Sequence, residues 1–245
     1  MRVSACFILA TAAVALTGCG VSSVGNPEAR VGDLVSDPVH VDSADVSSAV
    51  IKLKMGVGDL EVSGGDTAGL VDGKLEYNVP SWKPNVEQKK EGHTVHVSVE
   101  QPSSAKSSGG DAKNRWTLQV ANNTPVSFEV ECGVGKATLN LGAMKLRDVT
   151  LNVGVGKIEV DLRGKPDHDY SVKVHGGVGQ ATIYVPADAS VSAKVQSGLA
   201  PVKVEGLEKH GETWESPDFG KAKPTIQLEV EGGIGQIRVV REAAN

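Results

Sequence analysis

Two short runs in the chain have the residue types of a phosphate cradle. Gly133-Val134-Gly135-Lys136 and Gly154-Val155-Gly156-Lys157 each set a lysine behind paired glycines, and backbone N–H groups beside a lysine can hold a phosphate. The spacing points elsewhere. A P-loop needs Gly-x4-Gly-Lys-Ser/Thr opening a helix, and a dinucleotide fingerprint needs Gly-x-Gly-x-x-Gly opening one. Here an alternating apolar pattern follows, Ile158, Val160 and Leu162 after the second run, which reads as a strand. Nucleotide binding is not expected.

Other constellations are equally sparse. His93 and His96 lie three apart within an expected strand, so their side chains would point to opposite faces and could not easily share a metal. Asp167-His168-Asp169 follows Pro166 and reads as a solvated turn rather than a zinc site. A calcium ladder needs an Asp in nearly every turn of a repeat, but the matching position reads Asp59, Lys136, Lys157, Gln180 and Gln236, and two lysines in that column repel a cation. No Ser/His/Asp or Cys/His arrangement and no isolated carboxylate pair stands out. The chain is therefore expected to be no enzyme, with no catalytic residue, metal or cofactor.

One residue does carry a chemical expectation. Arg2 precedes a mainly apolar run from Val3 to Leu16, which ends in Leu16-Thr17-Gly18-Cys19. That reads as a secretory signal, 1–18, too short for the ~20 residues of a membrane span. The tetrad resembles a bacterial lipobox, which implies lipidation at Cys19. Two or three acyl chains anchor a protein stably where one does so only marginally. Gly20 in place of Asp leans toward the outer membrane or cell surface rather than the inner membrane. Cys6 would leave with the signal, and Cys132 would then have no partner for a disulfide. It shares the phase of Val126, Phe128 and Val130 and is expected in the core.

Charge narrows the partners. The 245-residue chain has a formal net charge of -5 and no basic patch, so nucleic acid is not an expected partner. Its polypeptide should not adhere electrostatically to anionic lipid either.

The glycines recur as a Gly-Val/Ile-Gly unit at Gly56 and Gly58, Gly133 and Gly135, Gly154 and Gly156, Gly177 and Gly179, and Gly233 and Gly235. A degenerate sixth copy holds Gly198 before Leu199. Around each copy the apolar alternation slips by one residue: Val149, Leu151, Val153 and Val155 are followed by Ile158, Val160 and Leu162 on the other parity. In a flat strand such a slip would move the second half onto the solvent face. Repeated at every copy, it marks a corner that turns the chain so that both flanking strands face inward, which glycine permits. The corner residues would be Val57, Val134, Val155, Val178, Leu199 and Ile234, with three successive spacings of 21, 23 and 21 residues. The expected fold is all-β, a β-solenoid of stacked strand-corner-strand repeats.

Residues 19–48 read as anchor and flexible tether, 49–124 as an N-terminal β region with an inserted hairpin, and 125–242 as the solenoid. The first insertion includes strand-like stretches at Leu75 to Val79, Val95 to Val99 and Trp116 to Val120, with a Ser/Gly/Lys-rich excursion from Gln101 to Lys113. A second, about Leu207 to Lys223, carries Trp214 and Phe219, a candidate recognition loop in a chain with few aromatics.

Residues 170 to 206, especially Gly177-Val178-Gly179-Gln180-Ala181-Thr182-Ile183-Tyr184-Val185-Pro186, resemble the C-terminal domain of the LiaF-like family. Leu139-Asn140-Leu141-Gly142-Ala143 through Val160-Asp161-Leu162-Arg163-Gly164 resembles the toast-rack (DUF2154/DUF4097-type) domains often found before it. The resemblance implies a one-sided stack of short strands, as in bacterial envelope and adhesin-like proteins. LiaF-like proteins with known roles carry N-terminal transmembrane helices and restrain a stress-sensing kinase; with a lipobox in their place, kinase regulation is not expected here. The expectation is a non-enzymatic lipoprotein that contacts an envelope protein or the cell wall. A glycan-acting enzyme and a self-associating structural protein are the alternatives.

Overall fold

The computed structural model describes residues 30–102, 110–199, 201–221 and 224–243. Cys19 and the expected signal lie outside them. Among the described residues, fourteen strands form one hydrogen-bonded sheet, joined by turns and a short 3-10 turn, Pro80–Trp82.

Five strands are long and carry an intact corner: β2 (Ser48–Gly65), β7 (Pro125–Asn140), β8 (Lys145–Asp161), β9 (Tyr170–Pro186) and β14 (Thr225–Glu242). They run parallel and in register through the corner, Val57 opposite Val134, Val134 opposite Val155, and Val155 opposite Val178. Each rung thus has two arms. In β8, Val149, Leu151 and Val153 are buried on one arm and Ile158 and Val160 on the other, while Val155 at the bend is exposed. The parity slip is therefore the bend. Both arms face one shared core, where each large aliphatic side chain contributes ~1.5–3 kcal/mol by leaving water.

The glycine columns are what let the rungs stack. Gly156 has φ +144°, and a Cβ there would fall on the carbonyl oxygen of Gly135; Gly154 would place one 2.5 Å from the carbonyl oxygen of Gly133. A side chain at either site would collide with backbone that cannot swing away.

Shorter strands finish the arms separately. On the N-terminal arm of β2 lies β5 (Thr94–Glu100), followed outward by β4 (Asn85–Glu91). On its C-terminal arm lie β6 (Asn114–Ala121), β3 (Val71–Tyr77) and β1 (Val35–Val41). Within the stretch expected as anchor and tether, 19–48, residues Val35–Val41 are a strand instead, since Val39 and Val41 are buried and β1 pairs along β3. The β4 edge carries Glu87, Lys89, Lys90 and Glu91, and all its residues are exposed, which discourages edge-to-edge pairing.

At the other end the order departs from a simple stack. β10 (Ser190–Leu199) and β11 (Val202–Glu205) both pair with β14, and β14 pairs with β9. The last repeat in sequence therefore sits between the two before it. The second insertion supplies the chain needed to return to that slot. On the way it forms a hairpin of β12 (Glu208–His210) and β13 (Thr213–Glu215), with β13 covering the outer side of β10. The boundary expected at 124 falls between β6 and β7, and the sheet runs across it.

Candidate binding surface at the glycine corner

Outside the bend, two features of the repeat line up across the sheet. The first is a ridge: Val57, Val134, Val155, Val178 and Ile234 are 42 to 54% exposed and Leu199 is 81% exposed. The second is a glycine floor beside it, made by Gly56, Gly133, Gly154 and Gly177 and continued by Gly233 and Gly198. The floor, with Val57 of the ridge, lines a groove of about 730 Å³ over β2 to β9, which meets a second of about 390 Å³ over β9, β14 and β10 at His175 and Gly176.

The far wall is the outward column two residues before the floor. In spatial order it reads Lys54, Glu131, Asn152, His175, Glu231 and Gln196. Its polar groups pair along the column: Lys54 Nζ lies 3.2 Å from Glu131 Oε2, and His175 Nδ1 lies 3.2 Å from Glu231 Oε2. Gly58, Gly135, Gly156, Gly179 and Gly235 form the second glycine column, on the other side of the ridge, all with positive φ.

The β2 end is closed by side chains. β5 pairs with β2 only to Lys54 and β6 only from Asp59, so the corner between has no neighbouring strand on that side. Gln101 and Asn114 take its place. Gln101 Oε1 accepts from the Gly56 and Val57 N–H groups at 2.9 and 3.2 Å. Asn114 Nδ2 donates to that same oxygen at 3.0 Å and to the Val57 carbonyl at 2.7 Å, and Trp116 Nε1 donates to Asn114 Oδ1 at 2.9 Å. Both amides are buried. No periodicity announces them; an amide at each entrance to the missing rung was the available signal.

The remaining candidates scatter. Gly133-Val134-Gly135-Lys136 and its second copy continue as strand. His93 lies in the turn before β5, not within a strand as expected, because its carbonyl accepts the Ser47 N–H at 2.8 Å. Asp167, His168 and Asp169 occupy the turn before β9, where Asp169 Oδ1 accepts the Thr225 N–H at 2.7 Å. Among the described residues no group of three His, Cys, Asp or Glu could hold a metal. Cys132 is buried, and desolvation pushes its thiol up to about 11. Trp214 packs against the core with Lys209 Nζ over its ring at 5.5 Å, while Phe219 is 38% exposed.

A single sheet of parallel rungs, bent at stacked glycine corners over one core, defines a toast-rack protein. The chain belongs to that family: the model for the N-terminal domain of toast_rack, DUF2154, matches residues 30–184. A second model, that of the cell wall-active antibiotics response protein LiaF, C-terminal, matches residues 133–239.

Protein LiaF of Bacillus subtilis (strain 168) is 24% identical over 112 residues, which are 43% of this chain and 46% of that protein. The chain thus spans about half the length of that curated relative. A solved structure from Clostridium sporogenes ATCC 15579, provisionally assigned as a cell adhesion protein, superposes with a TM-score of 0.80 at 26% identity. That match covers 86% of this chain and 100% of the other. Among the described residues, no helix is long and apolar enough to cross a membrane.

Proposed function

We propose that this protein is a non-enzymatic envelope lipoprotein, anchored through Cys19, that presents the bent sheet as a rigid surface to an envelope protein or the cell wall. The observation that carries the reading is the likeness to the Clostridium sporogenes protein, 26% identical over nearly the whole sheet. The Leu16-Thr17-Gly18-Cys19 run supplies the anchor, and placement at the outer membrane or cell surface follows from Gly20. A surface of this kind works by being preformed: the core and the glycine columns fix its outward columns before any partner arrives, which lowers the ordering cost of binding.

In-cell crosslinking followed by pull-down tests the reading, with the parent chain, Cys19→Ser and Phe219→Ser compared. The parent should carry incorporated palmitate, sediment with membranes and capture the same envelope component in repeated preparations. Cys19→Ser should lose the label and leave the membrane fraction. Absence of any specific partner from the parent sample would overturn the scaffold reading, and an unlabelled parent would overturn the anchor.

A further inference from the structure

The groove is regular in a way that selects its occupant. Its wall offers one polar side chain per rung across six rungs, Lys54, Glu131, Asn152, His175, Glu231 and Gln196, at the interstrand spacing of about 4.8 Å. Five such intervals span about 24 Å. We infer that this groove binds an extended, uncharged glycan chain lying across the rungs, one ring to a rung. The inference rests on the envelope reading above and names the ligand of that surface.

Three properties of the groove carry it. Spacing is the first: a stretched glycan advances per pyranose ring by close to one rung, whereas an extended peptide advances about 3.3 Å per residue and falls out of step. The second is the state of the backbone. β7, β8, β9 and β14 are paired on both sides, so their rungs offer no free edge for a peptide to join as an added strand. Recognition must come from side chains, and hydroxyl groups suit a wall that mixes donors and acceptors.

Charge is the third property. Lys54 is matched by Glu131 and His175 contacts Glu231, while Asn152 and Gln196 are neutral. A polyanion would meet two carboxylates, and a polycation would have to displace the Lys54 contact. The floor adds flatness, since glycines project nothing into the groove. Val57, the ridge residue that lines the groove, can cover the apolar C–H edge of a sugar ring at that end, as mixed apolar and polar linings do in small-molecule sites.

The test is NMR titration of the 15N-labelled full chain with three uncharged hexasaccharides, N-acetylated chitohexaose, cellohexaose and maltohexaose. Matching disaccharides, hexagalacturonate and an Ala/Ser hexapeptide are the comparison arms. At least one hexasaccharide should shift the amides of Gly133, Gly154, Gly177 and Gly233 saturably and bind at least tenfold more tightly than its disaccharide. Asn152→Ala and Gln196→Ala should each weaken binding at least fivefold at an unchanged melting temperature. Absence of shifts with all three hexasaccharides at millimolar concentration overturns the inference. So does equal affinity for the disaccharide, or tighter binding of the polyanion or the peptide. If the glycans fail while in-cell capture of a partner persists, the glycan inference falls and the scaffold reading stands. If the glycans bind and capture fails, the scaffold reading falls in its protein-partner form alone.

Discussion

The side-chain oxygen of Gln101 accepts the backbone N–H of Gly56 at 2.9 Å, doing for the first corner what a neighbouring strand does for the others. A hydrogen bond contributes about 0.5–1.5 kcal/mol net, and a buried polar group left without its partner costs about 1–3 kcal/mol. Gln101→Ala takes the acceptor from the part-buried N–H groups of Gly56 and Val57 together and leaves the buried Asn114 amide short of a partner. It should lower stability by about 2 kcal/mol or more in urea unfolding. A midpoint within error of the parent would show that the amide is not needed to close the rung.

Gly176 predicts the opposite sign. It occupies the inward column of Met55, Cys132 and Val153 and lines a small, partly open space of about 20 Å³. A Cβ there would meet Ile158 Cδ1 at 3.7 Å and the Glu231 carbonyl oxygen at 3.9 Å, ordinary contacts. Gly176→Ala should therefore stabilise the fold by about 0.4–1 kcal/mol, chiefly by restricting the unfolded chain. Calorimetry showing a lower melting temperature would contradict this.

β1 is tied to β3 by a titrating pair. His40 and Asp72 are register partners, with Nδ1 and Oδ1 2.5 Å apart. Hydrogen bonds to Asp72 first and Asp42 second hold His40 above its ordinary 6.5, and the His40 contact holds Asp72 below its ordinary 3.8. The histidine's contribution is complete below 6.5 and is lost as pH rises through its raised value. The aspartate's is complete above 3.8 and is lost as pH falls through its lowered value. The tie is thus strongest between the two. An NMR titration of the His40 ring should give a midpoint above 6.5 that drops in Asp72→Asn; equal midpoints in the two proteins would refute it.

Cys132 should be chemically silent while folded. Burial leaves it 2% exposed with its thiol at about 11, so little thiolate exists at neutral pH. In a chain with Cys6→Ser and Cys19→Ser, an aromatic disulfide reagent should report no thiol in buffer and one in denaturant. Prompt reaction of the folded protein would place Cys132 at an accessible surface.

How much of this was written in the chain divides along the periodicity. The parity slip from Val155 to Ile158 gave the bend, and the in-register glycines gave the stacking, because a repeat makes the same demand at every copy. Ends of a repeat make unique demands. β1 was hidden in a Ser/Asp/Val stretch that resembles a tether, since an edge strand with one buried face needs only Val39 and Val41. The insertion of β14 between β9 and β10 left no local mark, because all three alternate in the same phase up to the corner and parallel register does not encode order. The groove wall was unreadable for a related reason: Lys54, Asn152 and Gln196 become a column only once the rungs are aligned.

Urea unfolding of Gly154→Ala and Gly156→Ala tests most directly the claim that the corners are architecture on which the binding surface is built. A methyl at Gly156 meets the Gly135 carbonyl and must adopt φ +144°, and one at Gly154 meets the Gly133 carbonyl. Gly156→Ala should lose about 3 kcal/mol or more, or fail to fold, and Gly154→Ala should fall between it and the parent. Unchanged midpoints in both variants would contradict the account.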